Sequence, residues 1–212
     1  MERVTRVVGP LQTNVHLLAD PATREAIAID CAIPSLDWIS GELAARGWAL
    51  RLIVSTHGHW DHAGDNAALA AQSGAPIAVH PRDAHMLTDP KPLYAPFPIP
   101  PSVPAVELAE GGVIRFGSIR LDVLHTPGHT GGSVCLLARD EGLLLTGDTL
   151  FASGWGRVDL PGGSAEEMVE SLGRLRGLED RLAILPGHGR EATIGATRPF
   201  LDAVAAAGSL EL

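Results

Sequence analysis

Short apolar runs, separated by glycine, proline and aspartate, occupy both halves of the sequence and restrict the chain to a fold built on β-sheets. In the first half, strands are predicted at 4–8, 14–19, 25–29, 50–55 and 76–79. In the second half, strands are predicted at 113–116, 119–124, 133–137, 143–145 and 182–185. Apolar or alanine-rich spacing predicts helices at 34–46, 63–72, 165–176 and 196–207. Two strand-rich halves with helices outside them indicate an α/β (α+β) protein whose two sheets pack face to face under helical layers.

One segment breaks this pattern. Residues 87–104 contain seven prolines and show no apolar periodicity. Proline cannot donate a backbone hydrogen bond, so such a stretch does not continue a strand or a helix. We expect an exposed irregular loop there.

The length and charge of the chain exclude several classes of protein. A chain of 212 residues can bury a substantial core, and we expect one domain over residues 1–212. The net charge of -9 and the scattered arginines argue against a nucleic-acid partner, because clustered basic residues supply affinity for phosphates. No apolar run approaches the roughly 20 residues of a membrane span, and the first residues lack a secretory signal. Cys31 and Cys135 fall in apolar runs and are predicted to be buried free thiols, which suits a cytoplasmic protein.

The chemistry is concentrated where predicted strands end. Five of the nine histidines stand beside glycine or aspartate at such positions: His57, His59, His62, His129 and His188. A strand end fixes the backbone while the loop lets side chains converge. Imidazole and carboxylate are good zinc ligands, and a catalytic zinc keeps about three protein ligands and one open position. Together with Asp61 and Asp148, these side chains predict two divalent metal ions, with zinc favoured and iron or manganese as alternatives.

Four segments carry a resemblance to a known family. They are His57-Gly58-His59-Trp60-Asp61-His62, Thr126-Pro127-Gly128-His129-Thr130, Thr146-Gly147-Asp148-Thr149-Leu150-Phe151 and Pro186-Gly187-His188. In this order and at these separations they resemble the metallo-β-lactamase superfamily, specifically its glyoxalase II-like branch, over about Asn14 to Phe200. The resemblance implies a four-layer αββα sandwich with the metals at one edge between the sheets.

The resemblance also assigns roles to residues. It implies that the first metal is held by His57, His59 and His129. It implies that the second metal is held by Asp61, His62 and His188. Asp148 would bridge the two, and Asp61 and Asp148 would be the catalytic carboxylates. Asp30 would orient a ligand histidine, with Thr56 assisting it.

The expected reaction follows from the metals. Water bound to such ions has its pKa lowered to about 7, so a metal-bridged hydroxide is available at neutral pH. A thiolate, whose conjugate acid has a pKa of about 8.5, leaves without taking a proton from the enzyme. We therefore expect a glyoxalase II-like hydrolase whose substrate is a small-molecule thioester or similarly activated acyl compound.

Two features depart from glyoxalase II itself. Gly154-Trp155-Gly156-Arg157 resembles the substrate loop of the family, so Arg157 is expected to bind a substrate carboxylate, but Asp159 replaces the aromatic residue expected two places later. The chain also ends one helix after His188, where glyoxalase II has a further helical domain. Both features weaken the case for glutathione thioesters. The stretch 156–163 instead resembles the short, single-domain glyoxalase II-like hydrolases of bacteria.

Other functions remain open. A persulfide dioxygenase would hold a single non-haem iron on His57, His129 and Asp148 and would share nearly all these segments. The lack of an export signal argues against a β-lactamase, and the intact ligand set argues against a non-catalytic binding module. The histidines outside the four segments are expected to be structural or solvated: His16, His80, His85 and His125. The oligomeric state is left open.

Overall fold

The computed structural model describes residues 1–91 and 95–210. Its strands are β1 (Glu2–Val8), β2 (Thr13–Ala19), β3 (Glu25–Ile29), β4 (Ala49–Val54), β5 (Ile77–Val79), β6 (Val106–Glu107), β7 (Val113–Phe116), β8 (Ile119–His125), β9 (Val134–Ala138), β10 (Leu143–Gly147), β11 (Ala183–Pro186) and β12 (Ala192–Thr193). Its α-helices are α1 (Leu36–Arg46), α2 (Trp60–Ala63), α3 (Asn66–Ser73), α4 (Ala84–Thr88), α5 (Ala165–Arg176) and α6 (Ile194–Ala207).

The strands form two six-stranded sheets, one from each half of the chain. The first sheet has the order β1-β2-β3-β4-β5-β6, antiparallel up to β3 and parallel from there. The second has the order β12-β11-β10-β9-β8-β7, with only the β10–β11 pair parallel among the strands described. Parallel neighbours need a crossover connection, which α1 supplies between β3 and β4 and α5 supplies between β10 and β11.

Three apolar layers hold the sheets and helices together. The layer between the first sheet and its helices includes Leu17, Ala28, Ile39, Ile53 and Leu69. The layer between the two sheets includes Leu18, Ile27, Ile29, Phe116 and Leu136. The layer under α5 and α6 includes Leu137, Leu144, Met168, Leu172 and Leu201. This is the four-layer αββα sandwich that the resemblance implies, and burial on both faces explains why the runs of β3 and β9 are continuously apolar.

Helix ends follow local signals where those exist. The helix predicted at 165–176 is α5, and the Ser164 hydroxyl accepts a hydrogen bond from the Glu167 N–H (3.2 Å) at its first turn. The helix predicted at 63–72 is confirmed over 66–72, where α3 lies, but it is interrupted at 64–65, between α2 and α3. The Asp65 carboxylate at this break accepts the N–H groups of Ser35 (2.5 Å) and Leu36 (2.8 Å), which fixes it against the start of α1.

The proline-rich segment is partly built into the fold. Leu87 belongs to α4 and is buried in the outer apolar layer, and its carbonyl accepts the N–H of the buried Ser102 (2.8 Å). The prediction of an exposed loop over 87–104 is therefore wrong at these two positions, and residues 92–94 of that segment lie outside the described residues. Cys31 and Cys135 are buried free thiols as predicted, although Cys31 follows β3 rather than lying in it. Within the described part of the chain, no helix has the length and apolar content to cross a membrane.

Candidate metal centre

The seven predicted ligands come together at one edge of the sandwich, between the sheets. His57, His59, Asp61 and His62 lie in the loop after β4 and at the start of α2. His129 lies between β8 and β9, Asp148 follows β10, and His188 follows β11. Because β10 and β11 are parallel, their carboxyl ends meet at the same edge and bring Asp148 and His188 together.

The first group of ligands comprises His57, His59 and His129, whose ring nitrogens lie within 4.8 Å of one another. His59 Nδ1 and His129 Nε2 are 2.8 Å apart, and the ring centroids of His57 and His129 are 4.8 Å apart. These three rings meet edge to face, so their nitrogens point into one small volume.

The second group comprises Asp61, His62 and His188. The Nε2 atoms of His62 and His188 are 3.1 Å apart, and Asp61 Oδ2 lies 3.4 Å from the first and 3.3 Å from the second. Both groups have the three-ligand composition that a catalytic zinc site uses.

Asp148 contacts both groups. Its Oδ1 lies 3.5 Å from His62 Nε2, and its Oδ2 lies 3.4 Å from His188 Nε2 and 3.5 Å from His129 Nε2. A Cβ at Gly187 would overlap Asp148 and His62, so only glycine lets the β11 loop pass this close. The carboxylate thus lies within reach of both groups, and its role as a bridging ligand stays a prediction.

Two buried atoms test whether cations fit. His57 Nε2 and Asp148 Oδ1 are buried and have no hydrogen-bond partner among the residues described. A buried polar atom left in this state costs about 1–3 kcal/mol. Both atoms belong to predicted ligands, so a bound cation would remove this cost.

The protonation states also fit cations. Burial lowers the pKa of His57 well below its usual value, and burial with the neighbouring His129 lowers the pKa of His59 to about 4. Both rings are neutral at pH 7, which is the form that binds metal. Burial raises the pKa of Asp61, but His62 and His188 outweigh it and hold that pKa below its usual range, so the carboxylate is ionised.

Two other ligand histidines, His62 and His188, reflect the negative potential of the site. Burial lowers the pKa of His62, but the carboxylates of Asp148 and Asp61 outweigh it and raise that pKa well above its usual value. Burial is likewise outweighed at His188, whose hydrogen bonds to Asp148 and Asp61 raise its pKa to about 9. Clustered carboxylates therefore attract positive charge to this point, and a divalent cation would replace the protons of these rings.

Hydrogen bonds around the ligands select the ring nitrogens that face the centre. The Thr56 hydroxyl donates to Asp30 Oδ2 (2.9 Å), so its lone pair is left to accept from His57 Nδ1 (3.1 Å). Asp30 Oδ2 lies 3.0 Å from His62 Nδ1, and His129 Nδ1 donates to the Arg157 carbonyl (2.7 Å). At His57 and His129 these hydrogen bonds place the ring proton on Nδ1 and leave the Nε2 lone pair towards the other ligands, and the contact with Asp30 favours the same arrangement at His62 once its Nε2 gives up its proton. Asp30 and Thr56 thus lie where the sequence expects them.

Thr13 and Asn14, at the start of β2, also contact the ligands or their loops and were not predicted from the sequence. Thr13 Oγ1 donates to Asp61 Oδ2 (3.4 Å). Asn14 Nδ2 donates to the carbonyls of Pro186 and Gly189 (2.9 Å each), on either side of His188. No local pattern marks these residues, because their partners are far away in the sequence.

Arg157, the predicted substrate residue, reaches the centre with its backbone, because its carbonyl accepts a hydrogen bond from His129 Nδ1 (2.7 Å). Its exposed guanidinium pairs with Asp159, with Nε–Oδ1 and Nη2–Oδ2 distances of 2.7 Å. This pairing lowers the pKa of Asp159 to about 2. Binding of a substrate carboxylate by Arg157 stays a prediction.

The other histidines lie in settings that agree with structural or solvated roles. His16 is buried against Thr5 (2.9 Å), and burial lowers its pKa to about 4. His80 and His125 stack with ring centroids 4.1 Å apart, and His85 is exposed.

Comparison with known proteins decides the family. The family model of the metallo-β-lactamase superfamily matches residues 8–188, a span that contains all seven predicted ligands. The chain belongs to the metallo-β-lactamase superfamily. A relative from Mycobacterium leprae, an uncharacterised protein, is 39% identical over 210 residues, and the match covers 92% of this chain and 95% of that protein.

A curated relative with a named activity is the hydroxyacylglutathione hydrolase of Maricaulis maris, 37% identical over 172 residues. The match covers 81% of this chain and 60% of that enzyme, so the chain spans about three fifths of its length.

Three solved structures share the superfamily fold. BLEG-1, a B3 metallo-β-lactamase, has a TM-score of 0.86 and 30% identity, with 94% of this chain and 99% of that one covered. ETHE1 from Myxococcus xanthus has a TM-score of 0.82 and 27% identity, with 97% and 85% covered. TTHA1623, solved in a di-iron-bound form, has a TM-score of 0.75 and 30% identity, with 92% and 96% covered.

Proposed function

We propose that this superfamily member is a metal-dependent hydrolase, similar to hydroxyacylglutathione hydrolases, that cleaves a small thioester or similarly activated acyl compound. The observation that carries the proposal is the position of Asp148, whose two oxygens reach both groups of ligands at 3.4–3.5 Å. A carboxylate shared in this way is expected of a two-ion site and is not needed for a single ion.

Two divalent ions would be held by the residues already described, His57, His59 and His129 on one side and Asp61, His62 and His188 on the other, with Asp148 between them. When bound, such ions lower the pKa of water to about 7 and polarise a carbonyl oxygen. The imidazole-rich ligands favour zinc, and the di-iron form of TTHA1623 keeps iron as an alternative.

The chain's own residues set the charge and orientation of the site. Asp61 and Asp148 stay ionised, so each can accept a hydrogen bond from a water or take its proton at a carboxylate oxygen. Asp30 and Thr56 hold the rings of His62 and His57 with their Nε2 atoms inward. These attachments fix the reacting geometry before substrate binds.

Arg157 is the proposed site for a substrate carboxylate. Its present partner, Asp159, is exposed, and an exposed ion pair contributes only about 0–1 kcal/mol. A substrate carboxylate could therefore replace Asp159 at small cost and gain the same two-pronged hydrogen bonding.

The test is hydrolysis of a panel of acyl-glutathione and other acyl thioesters by protein whose bound metal has been measured. We expect turnover of at least one thioester by the two-ion protein. Asp148→Asn, which keeps the shape and removes the charge, should abolish turnover, whereas Asp122→Asn, at a surface pair with Arg120, should not change it. Two-ion protein that hydrolyses no member of the panel would contradict the proposal.

The second candidate is a persulfide dioxygenase with a single non-haem iron. Its ligands would be His57, His129 and Asp148, which lie together in the centre. The complete second group, Asp61, His62 and His188, argues for the hydrolase. One iron per chain with oxygen uptake on glutathione persulfide would favour the dioxygenase, and two ions without uptake would favour the hydrolase.

The likeness to BLEG-1 places ring opening of a β-lactam in the same substrate panel, because 30% identity is compatible with that activity as well. The cytoplasmic location stays a prediction, to be checked by cell fractionation.

A further inference from the structure

A buried carboxylate outside the ligand set joins two of the ligand loops. Asp83 ends a single 3-10 turn, Pro81–Asp83, directly after β5, and only 1% of its surface is exposed. Its Oδ2 accepts hydrogen bonds from the Gly58 N–H (2.8 Å) and the Thr130 hydroxyl (2.6 Å). Its Oδ1 accepts one from the Gly132 N–H (2.7 Å).

These three donors lie beside the first group of ligands. Gly58 stands between His57 and His59, and Thr130 follows His129. The loop that carries Gly58 follows β4 of the first sheet, whereas the loop that carries Thr130 joins β8 to β9 of the second. Asp83 therefore connects the two sheets at the point where their loops supply the first group.

Another link lies deeper in the sandwich. The Val134 N–H donates to the Thr56 carbonyl (2.8 Å) and joins the same two segments at the base of the loops. That bond fixes the strand ends, and the Asp83 carboxylate fixes the loops beyond them. The distance between His59 Nδ1 and His129 Nε2, 2.8 Å, depends on the loops.

A carboxylate suits this position better than an amide. Three donors converge on two oxygens, and an asparagine would offer one oxygen and turn its NH₂ group towards a donor. At least one buried donor would then lose its acceptor. The fit is also close, because a Cβ at Gly132 would overlap the Asp83 side chain.

The second group of ligands has separate attachments. Asp30 holds His62, Thr13 donates to Asp61, and Asn14 holds the loop that carries His188. Asp83 has no hydrogen bond to any of these residues among those the structure describes. A change at Asp83 should therefore act on one group and spare the other.

We propose that Asp83 is a positioning residue for the first metal ion, setting the distance between the His57–His59 loop and His129. The inference rests on the proposed two-ion site, in which Asp83 attaches to the loops of the first group alone, whereas Asp30 contacts His62 of the second group and, through Thr56, His57 of the first. Loss of a hydrogen-bonded partner behind metal ligands typically weakens metal affinity by about 10- to 100-fold.

The experiment compares Asp83→Asn with wild type and with Asp20→Asn. Asp20 is a matched control, because it is also buried and its hydrogen-bond donors lie outside the ligand loops. Its carboxylate accepts hydrogen bonds from the N–H groups of Ala22 (2.8 Å) and Ser118 (2.7 Å) and from the Ser118 hydroxyl (3.0 Å). Zinc affinity of each site is measured by competition with a chelator, and cobalt spectra report the geometry of each ion. Urea unfolding of the metal-free proteins measures the loss of stability.

We expect Asp83→Asn to bind one zinc ion like wild type and the other about 10- to 100-fold more weakly, with a changed cobalt spectrum. Asp20→Asn should lose stability but keep both affinities. If Asp83→Asn does not fold, Thr130→Val removes one donor to the carboxylate and should weaken the same ion, and Thr130→Ser should restore it.

Two results would overturn the inference. Asp83→Asn could keep both affinities, as Asp20→Asn is expected to do, or it could lose both equally. Wild-type protein that binds two ions while Asp83→Asn is unchanged contradicts only this inference. Wild-type protein that binds one ion or none contradicts the proposed two-ion function as well.

Discussion

Replacement of Asp30 by asparagine should disable the second ligand group through a change of tautomer. Asp30 Oδ1 accepts the Thr56 N–H (2.8 Å), so the oxygen of an asparagine would stay there and its NH₂ group would face His62 Nδ1. That nitrogen would then have to accept a hydrogen bond, which moves the ring proton to Nε2. Nε2 is the atom that faces His188 and Asp148, so the lone pair needed for a metal would be lost.

The expected size of this effect is a 10- to 100-fold loss of affinity for the second ion, about 1.4–2.8 kcal/mol at 1.4 kcal/mol per factor of ten. Chelator competition measures the affinity, and the nitrogen chemical shifts of labelled histidine report the tautomer of His62. Asp65→Asn is the control, because Asp65 is a buried carboxylate of the same region that accepts the N–H groups of Ser35 and Leu36.

The reasoning would be refuted if Asp30→Asn kept the Nδ1-protonated tautomer or bound both ions as tightly as wild type. It would also be refuted if Asp65→Asn lost the same affinity, since the effect would then come from general destabilisation.

Three further predictions concern substrate, pH and backbone. Arg157→Ala should raise KM for a carboxylate-bearing thioester with little change in kcat, whereas Asp159→Ala should leave KM unchanged or lower it. Steady-state kinetics measure both constants. An unchanged KM in Arg157→Ala would remove Arg157 from the substrate site. The pKa of His188 is raised to about 9, so its protonation stabilises the metal-free protein. This stabilisation is fully present below pH 6.5 and is lost as pH rises through about 9. Urea unfolding should show the loss in wild type and a smaller loss in His188→Gln. Gly187→Ala should lower metal affinity, because the added Cβ would overlap Asp148 and His62. Gly173→Ala, in an open position of α5, should instead raise the free energy of unfolding by up to about 1 kcal/mol. Equal metal affinities in the two variants would contradict the overlap.

The fold and the ligands were predictable for different reasons. Continuous apolar runs indicate strands buried on both faces, and such strands require helices on the outer faces of two packed sheets. The ligands were found because histidine and aspartate next to glycine at strand ends form four ordered segments. Helix α5 was predicted to the residue from local sequence, and the structure adds a local cap in which the Ser164 side chain accepts the Glu167 N–H.

Other features depended on contacts between distant parts of the chain. The break between α2 and α3 arises where Asp65 binds the start of α1, which overrides the helix preference of the alanines around it. Asn14 reaches the His188 loop, and Asp83 reaches Gly58 and Gly132. Residues so far apart meet only because of the order of strands in the two sheets.

Periodicity and capping are interactions between near neighbours, so a linear pattern of residues contains them. The choice of ring nitrogen, the charge at the centre and the attachment of each ligand loop depend instead on which loops face each other across the sandwich. That arrangement forms only when both sheets have paired and packed, and for this reason the ligands could be predicted from the sequence, whereas Thr13, Asn14 and Asp83, which contact the ligands or their loops, could not.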